Sequence, residues 1–161
     1  MNSNYAILSV DPGKATGIAL ITWSGGADDL PVKAYSMESQ PENFASDVRA
    51  VMAQYKNSPS FKVVCERFII NAATVRNSQA PYSLEQIGVL KHLCREDGYS
   101  PENIWMQNPV DAKNMFPNDA LKKVGTWHVG GEGHANDAIR HALLALAKQG
   151  WVPRVLLDKE K

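Results

Sequence analysis

Apolar residues along the chain come in two spacings, and the switches between them mark out the elements. Residues 5–10 form a short apolar run that ends at Asp11-Pro12-Gly13. Residues 17–23, rich in Ile, Leu and Ala, form a second, and residues 32–37 a third, with a turn between them at Ser24-Gly25-Gly26 and Ala27-Asp28-Asp29. Such runs, broken by Gly, Pro and Asp, predict an antiparallel meander of three strands. The period then changes. Phe44, Val48, Val51, Met52 and Tyr55 recur at steps of 4, 3, 1 and 3, one face of a helix, with Pro41 placed for its N1 position and Gln40 a poor cap. Residues 61–68 predict a fourth strand, apolar at its centre and carrying Glu66. Residues 71–81 are polar and Asn-rich with no usable period, which predicts a flexible loop. Ser83-Leu84-Glu85-Gln86 has capping-box form and opens a helix to about Asp97, closed by Gly98. Residues 104–107 predict a fifth short strand, residues 110–116 and 119–124 two short helices, and Gly130-Gly131-Glu132-Gly133 a break. A last helix covers residues 134–149 and stops at Gly150. This order predicts an α/β fold: a mixed five-stranded sheet with helices packed on its faces.

Length and composition narrow the picture. A chain of 161 residues is one domain's worth, so a single domain over 1–161 with its own core is expected. No apolar run approaches the ~20 residues of a membrane span. The first residues, Met1-Asn2-Ser3-Asn4, lack a signal peptide's pattern, so a cytoplasmic protein is expected. Cys65 and Cys94 sit in strand-like and helix-like runs without metal-binding spacing, and read as reduced, packed thiols. Seventeen basic and seventeen acidic residues give zero net charge, whereas nucleic-acid binders often draw affinity from an excess of Lys and Arg. A neutral protein still binds DNA through a local patch, particularly when several acids are tied up as metal ligands. Composition by itself leaves the partner open.

Three places carry candidate chemistry. Asp11 ends the first strand, and Gly13 and Gly17 let the chain turn tightly into the second. Taken alone, it reads equally well as a turn aspartate capping its own backbone. Glu66 lies between Val63-Val64-Cys65 and Phe68-Ile69-Ile70, where a carboxylate must meet a cation, take a proton, or face water from an edge strand. Along the final helix, Ala135, Ala138, Ile139, Ala142, Leu143 and Leu146 make an apolar face, with His134, Asp137 and His141 at i, i+3 and i+7 along its side. Singly, His134 and Asp137 read as cap-region residues at a helix N-terminus. Together, two sheet carboxylates with an Asp and a His from one helix end supply hard oxygen donors and one imidazole. That set suits Mg²⁺ or Mn²⁺ better than structural zinc. Two such ions ~4 Å apart activate a water and stabilise the leaving oxygen of a phosphodiester. No serine or cysteine triad competes, and the glycines near Gly130 lack the lysine and serine of a P-loop.

The pieces Asp11-Pro12-Gly13-Lys14-Ala15-Thr16-Gly17, Glu66 after Val63-Val64-Cys65, and His134-Ala135-Asn136-Asp137-Ala138 resemble the RuvC-type Holliday junction resolvases. The likeness spans residues 4–149, and its most discriminating piece is the His-x-x-Asp-Ala motif on the last helix. It implies an RNase H-like fold with three antiparallel strands followed by two parallel ones. It also implies a homodimer that nicks four-way DNA junctions symmetrically, with forks, flaps and other branches as further substrates. Asp11, Glu66 and Asp137 are then the metal-binding carboxylates and His134 completes the set, its softer imidazole favouring Mn²⁺ over Mg²⁺. Lys113, in Pro109-Val110-Asp111-Ala112-Lys113, corresponds to the family's Pro-x-x-x-Lys region and takes a catalytic role at the phosphate. Lys122 and Lys123 are implied phosphate contacts, with a solvated helix surface as the alternative. Arg67 and Phe68, just after the second acid, are implied DNA contacts, Phe68 as a wedge at the junction unless it packs in the core.

Residues 71–81 depart from the family's pattern, and zero net charge implies weaker or salt-sensitive DNA binding. The short length suits a phage-borne relative. Two other readings stay open: an RNase H-like nuclease that processes RNA precursors, and a junction-binding protein without catalysis. Actin-like kinases share the Asp-x-Gly start but need well over twice this length. The helix over residues 83–97, with Leu84, Ile87, Leu90 and Leu93, is the candidate dimer interface.

Overall fold

The computed structural model describes residues 5–24, 32–76, 80–151 and 153–157. The turn expected at Gly25, Gly26 and residues 27–29 lies outside them. Strands β1 (Tyr5–Asp11), β2 (Thr16–Trp23) and β3 (Lys33–Ser39) form the expected meander, followed by helix α1 (Phe44–Tyr55) and strand β4 (Ser60–Glu66). Helix α2 (Ala80–Glu96), a 3-10 turn (Pro101–Asn103) and strand β5 (Trp105–Gln107) come next. Helices α3 (Pro109–Met115), α4 (Asn118–Val124), α5 (His134–Lys148) and α6 (Arg154–Leu157) complete the order. The strands lie as β3-β2-β1-β4-β5. β1 is antiparallel to β2 and β2 to β3, whereas β4 runs parallel to both β1 and β5.

Strand side chains alternate between faces, and the alternation sorts the core into two layers. Ala6, Leu8 and Val10 of β1, with Val63 and Cys65 of β4, pack against Phe44, Val48 and Met52 of α1 and Leu90 and Leu93 of α2. Ile7 of β1, Ala19 and Ile21 of β2 and Val64 of β4 pack on the other face against Ala138, Ile139, Ala142 and Leu143 of α5. The result is a three-layer α/β/α sandwich.

Several boundaries differ from the sequence expectation, each for a local reason. Helix α1 begins at Phe44, not Pro41, because Gln40 O accepts the N–H groups of both Asn43 and Phe44 and closes a turn first. Helix α2 begins at Ala80, since Pro81 is tolerated in a helix's first turn. Ser83 is therefore inside the helix and is no cap; its hydroxyl donates to Pro12 O at 3.0 Å, tying α2 to the loop after β1. β4 ends at Glu66, so Phe68 is outside the sheet. Residues 71–76 form a turn organised by Asn71, whose Oδ1 accepts from the N–H groups of Ala73 and Thr74. Along α2, Leu90 and Leu93 are core residues, Ile87 packs against the core, and Leu84 is exposed.

Candidate active site

Register places the chemistry. Glu38 pairs with Gly17, Gly17 with Asp11, and Glu66 with Gln107. Val10 pairs with Cys65, one residue before Asp11 and Glu66 respectively. Directly paired residues share a face, so Glu38, Gly17, Asp11, Glu66 and Gln107 form one row across the five strands, under α5. β1, β3 and β4 all end at this edge. The last helix crosses the row with its N-terminus near Asp11.

The approach is close because Gly17 has no side chain. A Cβ there would lie 1.9 Å from His134 O. The Asp11–Gly17 turn is fixed by Thr16, whose hydroxyl donates to Gly13 O at 2.9 Å and accepts the Gly13 N–H at 3.3 Å. At the other end of the row, the Glu38 carboxylate accepts the backbone N–H groups of Glu132, Gly133 and His134, each at 2.9 Å. Those donors have no partner inside the helix, and Gly130, Gly131 and Gly133 supply the positive φ values that turn the loop into position.

Each candidate carboxylate ligand has a basic neighbour. Asp11 is 4% exposed and accepts a hydrogen bond from His134 Nδ1 at 2.8 Å. Burial pushes its carboxyl up to about 6, and the charges of Glu66 and Asp137 add to the rise against the opposing His134 bond. The same hydrogen bond holds the His134 pKa above its ordinary value, outweighing burial. Asp137, in the first turn of α5, pairs with Arg140 through one oxygen and lies 3.3 Å from Lys113 Nζ through the other. Glu66 Oε2 is 2.8 Å from His141 Nε2.

Asp11, Glu66, His134 and Asp137 thus share one pole, where the charges of Glu66 and Asp137 are close enough to raise the proton affinity of Asp11. The excess negative charge around a buried Asp11 and the hard oxygen donors fit a divalent cation. They fit it by chemistry and not as a preformed shell: among the described residues, no three His, Cys, Asp or Glu side chains converge as a metal-holding group.

Lys113 also lines a groove of about 700 Å³ with Trp127, Asn136, Asp137 and Arg140. Lys122 lies over the Trp127 ring, 5.1 Å from its centroid, and Lys123 is exposed on the same helix. Arg67 is exposed, and its N–H continues the ladder to Gln107 O at 2.7 Å. Phe68 is half-buried in an apolar cavity with Ile70, Val75, Pro81 and Leu84.

Sequence reasoning missed Glu38, Gln107 and Arg140, and gave His141 no role. Arg140 had a signal, its i, i+3 spacing from Asp137. It is buried, and its Nε–H donates to Phe116 O at 2.9 Å, bracing α5 against the α3–α4 corner.

Glu38 yields a stability expectation. Burial alone would push its carboxyl up, but the backbone N–H groups of Glu132, Ala135, Gly133 and His134 together bring it below the ordinary 4.5. A depressed carboxyl stabilises the fold above its unfolded pKa, and that contribution is lost as pH falls through the lower folded value. Glu38→Ala should cost roughly 1–2 kcal/mol at pH 7, the scale of a lost helix cap. In urea titrations the gap between wild type and Glu38→Gln should close as the pH is lowered below 4. A gap that persisted would place the effect elsewhere than in the carboxylate's charge.

Fold and site together define a class: a three-layer α/β/α protein with a mixed five-stranded sheet, whose candidate carboxylates lie at the ends of β1 and β4 and in the first turn of α5. Sequence comparison finds no matching family model and no matching curated protein. Among solved structures, the chain is similar to T. thermophilus RuvC in complex with Holliday junction substrate, with a TM-score of 0.66 and 15% identity, over 91% of this chain and 96% of that one. It is likewise similar to a second Thermus thermophilus RuvC structure, with a TM-score of 0.63 and 16% identity, over 91% and 97% of the two chains. The chain has the RNase H-like fold in the form found in RuvC. Among the described residues, no helix is long and apolar enough to cross a membrane.

Proposed function

We propose that the chain is a divalent-metal-dependent endonuclease that cuts branched DNA, four-way junctions foremost, as a homodimer. The observation that carries this reading is the placement of Asp11, Glu66, His134 and Asp137 at one pole of the RuvC form of the fold. The neighbour solved with Holliday junction substrate supports the choice of DNA.

In this reading Asp11, Glu66 and Asp137, with His134, hold Mg²⁺ or Mn²⁺, which activates a water and stabilises the leaving oxygen when bound. His134 keeps Asp11 turned toward the helix end. Lys113, exposed on one side of Asp137, meets the phosphate's developing charge. Lys122, Lys123 and Arg67 contribute backbone contacts that position the DNA without reading its sequence. Phe68, two residues beyond the end of β4, would swing from its apolar cavity to meet bases where the duplex branches.

The test is a cleavage assay on labelled four-way, three-way, flap and linear DNA with Mg²⁺ or Mn²⁺. Paired nicks at symmetric positions of the four-way junction are expected. Equal cutting of three-way and flap DNA would recast the protein as a general branch nuclease. Cutting of RNA alone would overturn the DNA reading.

A further inference from the structure

One buried side chain on α5, facing the row of strand residues beneath it, has no task in the proposed reaction. His141 is 1% exposed, one apolar-stripe repeat beyond His134 and outside the Asp11–His134 contact. Its Nε2 lies 2.8 Å from Glu66 Oε2 and its Nδ1 lies 2.8 Å from Gln107 Oε1. Gln107 is itself buried at the end of β5, and its Nε2 is a buried amide without a hydrogen-bond partner.

These contacts have a direction. An ionised carboxylate only accepts, so the proton between His141 and Glu66 is on His141 Nε2. A half-turn of the Gln107 amide exchanges its oxygen and nitrogen. In that orientation Gln107 Nε2 donates to His141 Nδ1 and both ring nitrogens are paired, with the amide oxygen, a less costly orphan than an N–H, left where Nε2 stood. The rest of this helix face is Ala, Ile and Leu, and a buried polar chain in such a place is costly unless it is fully satisfied.

We propose that His141, held by Gln107, is a positioning residue for Glu66. It fixes Oε2 of the carboxylate through Nε2–H and leaves the other oxygen for the divalent cation. The proposal rests on the reading of Glu66 as a metal ligand. Carboxylate ligands are themselves oriented by hydrogen bonds, and removing such a support typically costs 10–100-fold in metal affinity or activity. Sequence spacing alone could not assign this role, because Gln107 joins His141 only through the β4–β5 register.

Two substitutions separate positioning from packing. His141→Leu fills the site with apolar volume and no donor, whereas His141→Gln puts an amide N–H about where Nε2–H stands. Mn²⁺ binding to the full-length protein without DNA would be measured by calorimetry, beside junction cleavage and thermal unfolding. His141→Leu is expected to fold, to bind Mn²⁺ about 10–100-fold more weakly, and to lose kcat with KM for DNA unchanged. His141→Gln is expected to recover Mn²⁺ affinity to within about threefold of wild type. A folded His141→Leu protein with wild-type Mn²⁺ affinity overturns the proposal, as does a folded His141→Gln protein as impaired as His141→Leu. Where His141→Leu does not fold, Gln107→Leu carries the test: a smaller loss of affinity supports the relay and none overturns it. A wild-type protein that binds no Mn²⁺ would instead overturn the metal-nuclease reading beneath it. Imidazole ¹⁵N shifts then judge the contact itself, since a proton on Nδ1 and none on Nε2 contradicts it.

Discussion

Asp11→Asn is expected to abolish cutting, by at least about 10²–10³-fold, while leaving junction binding close to wild type. The change is nearly isosteric and removes a charge from the floor of the site, where Asp11 is 4% exposed, not from the surface that meets DNA. A second readout makes the result specific. Mn²⁺ should raise the melting temperature of the wild type, because a ligand that binds only the folded state stabilises it by mass action. That rise should be absent in Asp11→Asn. In EDTA at pH 8 the variant should be at least as stable as the wild type, since the ionised Asp11 is buried beside Glu66 and Asp137. Loss of DNA binding along with cutting, or a large loss of stability, would mean that Asp11 is structural. An unchanged Mn²⁺ shift would remove it from the metal site.

The candidate ligands could be found in the sequence because each sits at an abrupt change of pattern. Asp11 closes an apolar run, Glu66 interrupts one, and His134 and Asp137 open the apolar stripe of α5. The strands and helices were legible for the same reason, and they implied a mixed five-stranded sheet, but the order β3-β2-β1-β4-β5 depends on pairings that the pattern along the chain does not contain. What stayed hidden depends on register. Glu38 reads as one more polar residue near the end of an exposed edge strand until pairing with Gly17 places it under the α5 N-terminus. Gln107 reads as the tail of a three-residue strand until it lies opposite Glu66. Ser83 misled for the opposite reason. Its capping-box spacing is real, but the first helical turn is supplied by Ala80 and Pro81, and its hydroxyl is used by Pro12. Local chemistry proposes partners, and only tertiary placement decides which of them is met.

The same row sets the second large expectation. A Cβ on Gly17 would sit 1.9 Å from His134 O, 2.3 Å from His134 C and 2.9 Å from Ala135 N. All three are backbone atoms in the first turn of α5, so no side-chain rotation relieves the clash. Restoring ordinary contact requires α5 to retreat by roughly 1.5 Å at this end. The helix is seated along the sheet by Ala138, Ile139, Ala142, Leu143 and Leu146, all fully buried, so the retreat also disturbs the core. Gly17→Ala should therefore lose about 1–3 kcal/mol or more, a fall of about 2–4 °C in melting temperature for each kcal/mol. Activity should suffer more than stability. His134 and Asp137 move with the helix while Asp11 and Glu66 stay on the sheet, and a displacement of ~1 Å at a catalytic group can cost about 10²-fold. Gly88→Ala supplies the contrast. It is an exposed helical glycine in α2 with nothing within 4 Å of its Cβ position, and it should gain about 0.5–1 kcal/mol. If Gly17→Ala behaves like Gly88→Ala in urea unfolding and keeps full activity, close contact between α5 and β2 is not what holds the two halves of the site together.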